Sequence, residues 1–212
     1  MHPVREAAPD LVSGPGAFLN IPYDDKFQDL FLAYIAGVSA FGLVPRAALE
    51  IPGGQPRLSR ILGLIKACPY SFHDLSCVTL DPRPPRTPRF NMPFELGLAV
   101  AYSEWVQPEH TWFTFEAKKW RLQKSLSDLG GTDPYIHDGT PEGIFRQLCN
   151  ALTRHVKPPS LDEMEAIRQS LLEAVPVIRR TTGAKSLFEA RVFWDVVVIA
   201  RKASVELIDR QP

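Results

Sequence analysis

Two carboxylates joined by a proline-rich stretch make the best case for chemistry in this sequence. Glu95 stands in Arg89-Phe90-Asn91-Met92-Pro93-Phe94-Glu95-Leu96-Gly97-Leu98-Ala99-Val100-Ala101-Tyr102, where Pro93 opens an otherwise apolar helix and packing alone would not call for a charge. Asp74 stands near the end of the run Tyr70 to Leu75. A glutamate in a first helical turn is kept ionised by the helix dipole and by free backbone N–H groups, which suits a nucleophile. The same position also serves a capping box or simply complements the dipole. An aspartate ending a buried strand, desolvated and beside a like charge, holds its proton more tightly. One carboxylate attacking a sugar carbon while another group assists the leaving base is the logic of a retaining glycosidase, and it needs no metal.

The elements that must position these acids read as β-α-β-α-β. Ala17 to Ile21 is a short apolar strand stopped by Pro22, and Asp24 or Asp25 can cap the helix that follows. Phe27, Leu30, Phe31, Tyr34, Ile35, Val38 and Phe41 recur at helical steps, predicting an amphipathic helix with one buried stripe that Gly42 closes. Leu43 to Leu49 predicts a second strand carrying Arg46. After the turn at Pro52-Gly53-Gly54, Leu58, Ile61, Leu62 and Ile65 mark a second helix with Arg57 and Arg60 on its wet side. Tyr70 to Leu75 is the third strand. This alternation predicts a parallel sheet covered by helices on both faces, with function at the carboxyl ends of the strands. Asn20, Tyr23 and Asp24 after the first strand, Arg46 after the second and Asp74 after the third then share one rim with Glu95.

The loop from Cys77 to Met92, rich in proline and arginine, exceeds what a βα connection needs and is a candidate lid or partner-binding loop. Thr111 to Phe115 predicts a fourth strand. The basic segment Lys118 to Lys124 reads as a solvated helix face rather than a phosphate site, Ser127 to Thr140 as a loop, and Thr140-Pro141-Glu142-Gly143 opens another helix. Lys157-Pro158-Pro159 marks a boundary, beyond which two helices are predicted. The expected organisation is an arm over 1–16, an α/β domain over 17–156, and a helical extension over 160–212 packing on the domain or on a second copy of the chain.

Composition narrows the function classes. Lys plus Arg (24) balance Asp plus Glu (24), so no overall field draws the chain to nucleic acid or to an anionic membrane. Three dispersed cysteines without a C-x-x-C pair, and no secretory signal or membrane-length apolar run, predict a cytoplasmic protein. The glycine motifs of dinucleotide folds and P-loops are missing, and His73 with Cys68 and Cys77 fits no common zinc spacing, so no cofactor and no metal is expected. His73 reads as a packed core histidine. No serine or cysteine shows a partnered histidine, which leaves acyl transfer unsupported.

Phe72-His73-Asp74-Leu75-Ser76 followed by Asn91-Met92-Pro93-Phe94-Glu95-Leu96-Gly97-Leu98-Ala99 resembles the nucleoside 2-deoxyribosyltransferase and nucleoside N-glycosidase superfamily and, more distantly, TIR domains that cleave NAD. The resemblance spans about Ala17 to His155 and rests on the Asp74 to Ala99 portion. It implies a flavodoxin- or Rossmann-like three-layer α/β fold, with Glu95 attacking the anomeric carbon and Asp74 contacting base or sugar. Asn20, Tyr23, Asp24, Arg46 and Asn91 are the expected substrate contacts, the ligand a nucleoside, nucleotide or NAD, and the assembly a homo-oligomer. The sequence departs from the family at Ile21-Pro22-Tyr23, where a small glycine-containing loop is usual; Tyr23 either stacks on a base or fills the pocket. The competing expectations are a non-catalytic nucleotide-sensing or assembly module of the same fold and a purely structural dimerisation protein.

Overall fold

The structure is a computed structural model that describes residues 13–50, 54, 56–78, 84–87, 89–153 and 158–208. Residues 1–12 of the expected arm, the turn residues 51–53, residues 79–83 and 88 of the long loop, and Lys157 at the expected boundary lie outside these.

The elements run in the order β1 (Gly16–Asn20), α1 (Gln28–Ala40), β2 (Val44–Arg46), α2 (Arg57–Ala67), β3 (Tyr70–Asp74), α3 (Asn91–Trp105), β4 (Thr111–Glu116), α4 (Arg121–Ser125), β5 (Tyr135–Ile136), α5 (Pro141–Leu152), α6 (Leu161–Thr182) and α7 (Ala190–Ile208). All strand pairs are parallel, in the order β2-β1-β3-β4-β5, which is the flavodoxin-like arrangement of a three-layer α/β protein. β2 is shorter than the predicted Leu43 to Leu49. It contains Pro45, which has no N–H to donate, and such a strand is tolerated only at an edge. β5 lies inside the predicted loop Ser127 to Thr140, because two residues are too few to show an alternating pattern. It is held at the other edge by Tyr135 stacking on Phe115 (ring centroids 5.3 Å apart).

Side-chain alternation along the strands divides the core. Ala17 and Leu19 of β1 and Phe72 of β3 face α1 and α5, in the larger apolar cluster. Phe18 faces α2 and α3, packing with Ile61, Leu64, Ile65 and Ala99. α1 departs from the single buried stripe expected of it: Phe31 to Ser39 are all buried. The reason lies beyond the predicted boundary. α6 and α7 pack on the outer side of α1, adding Met164, Ile167, Leu171, Val192, Phe193, Val196 and Val197 to the same core. A helix apolar on every side needs cover on every side. Arg201 and Ser204 of α7 seal the contact by donating to the carbonyl of Ser39 (3.3 and 2.8 Å). Ser160 and Glu163 form a capping box that starts α6 directly after the Pro158-Pro159 pair. No helix among the described residues is long and apolar enough to cross a membrane.

The turn from β5 into α5 is the tightest joint. Thr140 caps α5 by accepting from Gly143 N–H (3.0 Å), and a side chain at Gly143 would place its Cβ 1.9 Å from the backbone oxygen of His137. Backbone cannot yield as a side-chain tip can. Gly143→Ala is therefore expected to destabilise the fold by about 3 kcal/mol. Urea unfolding followed by circular dichroism checks this, with a lowered midpoint at unchanged slope as the expected result.

Candidate functional site

A cavity of about 300 Å³ opens where the chain leaves β1 and where it enters α3. β1 and β3 are neighbours, yet the helices that follow them lie on opposite faces of the sheet, so a crevice forms between their carboxyl ends. Asn20 closes its base: the Asn20 Nδ2 amide donates to the carbonyl of Met92 (3.1 Å), tying the end of β1 to the first turn of α3. Tyr23 and Asp24 contribute from the β1 side, Asn91 and Glu95 from α3, Arg57 from the start of α2, and Cys77 and Arg89 from the two ends of the loop after β3.

Glu95 is 3 % exposed. Its surroundings differ from those expected. α3 begins at Asn91 rather than Pro93, because Asn91 and Met92 already adopt helical geometry and Phe94 N–H bonds to the carbonyl of Phe90 (2.9 Å). Glu95 thus lies one turn inside the helix, beyond the free N–H groups that were to hold it ionised. Burial instead raises its pKa, opposed by the Arg57 guanidinium, whose Nη2 donates to Oε1 over a long 3.4 Å. Arg57 stays about half exposed, so this ion pair screens the buried charge only in part.

Asp74 is not beside Glu95. It shares strand parity with Phe72 and points to the α1 side of the sheet, away from the cavity. There it accepts from the Tyr34 hydroxyl (2.8 Å) and from the Ser76 N–H (2.8 Å), with His137 Nε2 at 3.1 Å. Gly139 N–H donates to His137 Nδ1 (3.1 Å), so Nε2 is the donor that serves both Asp74 and Ser76 Oγ (3.0 Å). Ser76, His137 and Asp74 resemble a catalytic triad in composition only: a single ring nitrogen serves both partners, and His137 and Asp74 are fully buried. The cluster joins β3, β5 and α1. Arg121, from the basic segment read as solvated, donates to the carbonyls of Ser76 (3.0 Å) and Val78 (2.9 Å) and clamps the start of the loop after β3.

Arg46 also lies outside the cavity, bound to Glu50 by Nη2 at 2.6 Å. Asn20, Tyr23, Asp24, Asn91 and Glu95 are brought together as the sequence suggested. Tyr23 neither blocks the cavity nor stands free in it: its ring packs on Phe31 (centroids 6.1 Å) and Phe188 (5.7 Å) and forms part of the wall. Burial of its hydroxyl, with the Glu95 carboxylate next in effect, raises its pKa far above the ordinary phenol value. Asp24 spends one carboxylate oxygen on Lys26 N–H (2.9 Å), starting the 3₁₀ turn Asp25–Phe27.

Three ionisable residues of the cavity, Arg57, Arg89 and Cys77, are not among the site residues the sequence points to. Arg57 was assigned to a wet helix face, and only its through-space proximity to α3 reveals it. Arg89 stood in the opening motif without an assigned role. Cys77, whose spacing from Cys68 and His73 fits no zinc pattern, lines the cavity instead; burial, reinforced by Asp74 and Asp24, pushes its thiol up to about 11, so it is no thiolate at neutral pH. Among the described residues no group of three or more His, Cys, Asp and Glu converges as a metal site.

No family model, no curated protein and no solved structure matches the chain. What fold and site together define is a class: a flavodoxin-like α/β protein with a polar cavity, holding one deeply buried carboxylate, at its topological switch point.

A carboxyl whose pKa is raised on folding favours the fold most below its ordinary value, and that contribution is lost as pH rises through the raised value. At neutral pH the ionised Glu95 therefore costs stability. Glu95→Gln is expected to raise Tm at pH 7, by about 2–4 °C for each kcal/mol relieved, and the gain should shrink toward pH 4. Differential scanning calorimetry across that range checks it.

Proposed function

We propose that this protein cleaves or transfers an N-glycosidic bond, with Glu95 as the nucleophile. The single observation that supports this best is a carboxylate, Glu95, buried to 3 % exposure and lining a polar cavity at the β1/β3 switch point. In the proposed reaction a Glu95 oxygen bonds to the anomeric carbon while the C–N bond breaks and its electron pair leaves with the base, which takes up a proton. Water, or the nitrogen of a second base, then displaces the sugar from Glu95 and restores the carboxylate. Asp74, on the far side of the sheet, takes no part in this scheme. Asp24, the other carboxylate of the cavity, fills the assisting place at the leaving base. Arg57 and Arg89 add two guanidinium groups, which favours a phosphorylated ligand, a nucleotide or NAD, over a bare nucleoside.

A second reading has an observation of its own. Since Asp74 is engaged by Tyr34, Ser76 and His137, the expected pair of acids is not assembled, and a cavity of this kind also suits a module that binds a nucleotide without breaking it.

Base release from a panel of nucleosides, nucleotides and NAD, followed by chromatography, separates the two. Turnover by the native chain and a loss of at least about 10³-fold in Glu95→Gln is the expected outcome. Tight binding without product favours the module, and equal turnover by the variant removes Glu95 from the chemistry. The pH profile gives a further check. The nucleophile must be ionised, so activity falls on the acid side at a pH above the ordinary glutamate range. Arg57 lowers the Glu95 pKa; Arg57→Ala should therefore move the acid limb of kcat/KM to still higher pH.

A further inference from the structure

A line of buried polar side chains passes behind the cavity and has no part in the chemistry above. Asn20 Nδ2 lies 3.1 Å from the carbonyl of Met92 and 2.9 Å from His73 Nδ1. His73 Nε2 lies 3.0 Å from Ser71 Oγ, which lies 3.0 Å from His110 Nε2. His110 Nδ1 lies 2.9 Å from the carbonyl of Cys68. All four side chains are buried.

A carbonyl at each end fixes the direction of every bond between them, because a carbonyl can only accept. At the inner end the carbonyl of Cys68 requires a hydrogen on His110 Nδ1. In the neutral ring that leaves Nε2 as an acceptor, so the Ser71 hydroxyl donates to it and accepts from His73 Nε2–H. His73 Nδ1 is then a lone pair in need of a donor. At the outer end the carbonyl of Met92 requires the amide nitrogen of Asn20 rather than its oxygen, and the second hydrogen of that NH₂ group meets His73 Nδ1. The two ends dictate one polarity independently. Burial keeps both imidazoles neutral, lowering His110 and taking His73 down to about 3. A protonated His73 would set N–H against N–H at Asn20.

Both amide hydrogens of Asn20 are consumed in this way, while the residue itself lines the cavity. We propose that Asn20 is a specificity-determining residue: locked by His73, Ser71 and His110, it turns only its carbonyl oxygen to the ligand and so requires a hydrogen-bond donor there, a sugar hydroxyl. Glu95 and Asp24 add carboxylate oxygens to the same cavity, so acceptors come from both its β1 side and its α3 side. A sugar edge that carries its hydroxyls satisfies such a set; an edge stripped or methylated at the facing position leaves a desolvated acceptor unpaired. The sugar assignment rests on reading the cavity as a nucleotide site, whereas the polarity of the chain does not.

Two measurements test the proposal. The first is ¹⁵N spectroscopy of the histidine-labelled native chain at pH 6, which distinguishes imidazole tautomers without any ligand. His73 is expected as the neutral Nε2–H form and His110 as the neutral Nδ1–H form. An Nδ1–H or doubly protonated His73 overturns the lock. The second is calorimetry on Glu95→Gln, chosen to prevent turnover, with the four ribonucleoside 5′-monophosphates and their 2′-deoxy, 3′-deoxy and O-methyl counterparts, repeated with Asn20→Ala added. One hydroxyl position should cost about tenfold or more in affinity when removed or methylated, and under about twofold once Asn20 is alanine. Equal binding of all the analogues, or the same discrimination without Asn20, removes Asn20 from specificity while leaving the nucleotide reading intact. Binding of none of them by Glu95→Gln overturns the sugar assignment, whatever the tautomers, while the N-glycosidic reading, which also admits NAD, is decided by base release.

Discussion

The structure depends on one constraint of parallel pairing: β1 has β2 on one side and β3 on the other, and a parallel neighbour can be reached only by a crossover. The crossover through α1 covers one face, and those through α2 and α3 cover the other. At the carboxyl ends of β1 and β3 the chain must therefore depart to opposite sides, and a gap opens that neither connection can fill. The bond from Asn20 to the carbonyl of Met92 spans that gap, fixes where α3 begins relative to β1, and so sets Glu95 against the cavity.

The same pleat that opens the site decides which residues reach it. His73 and Asp74 are adjacent in sequence and face opposite layers. His73 lies behind the cavity with Asn20, edge-on to Phe18 (ring centroids 6.1 Å), and Asp74 faces α1. An aspartate fully buried on the α1 side is satisfied by three donors, Tyr34, Ser76 N–H and His137, which makes it a structural node. Glu95 has one long bond to a half-exposed arginine. Two acids of similar burial thus differ in kind: one is fully partnered and holds elements together, the other is held at a cost by the elements around it.

Much of the fold was legible because it rests on local pattern. Helical spacing located α1, α2, α5, α6 and α7, and their alternation with apolar runs implied the parallel sheet. The site was half legible. Glu95, Asn20, Tyr23, Asp24 and Asn91 could be gathered because strand ends in a parallel sheet share a rim. What stayed hidden depends on parity or on distance in sequence. The direction of Asp74 turns on one residue of register; Arg57 meets Glu95 only because α2 and α3 lie side by side; and Arg46, at the correct strand end, is taken by Glu50 four residues on. The start of α3 was misplaced by two residues, enough to move Glu95 from the electrostatics of a helix terminus to those of a buried interior.

The helical extension also belongs to the site. Phe188, between α6 and α7, packs on both Tyr23 and Phe31, and these three rings back one wall of the cavity. Phe188 is thus one of two rings, with Phe31, against which Tyr23 is seated in the wall. A large residue at position 23 fits beside the site because Phe188 of the extension gives its ring an aromatic neighbour. A division of the chain at Lys157 follows the proline pair in sequence, but the apolar core is continuous from Ile35 and Leu148 to Met164 and Val196. The cavity wall depends on that continuity, so α6 and α7 act on the site through Tyr23 without contributing a polar group to it.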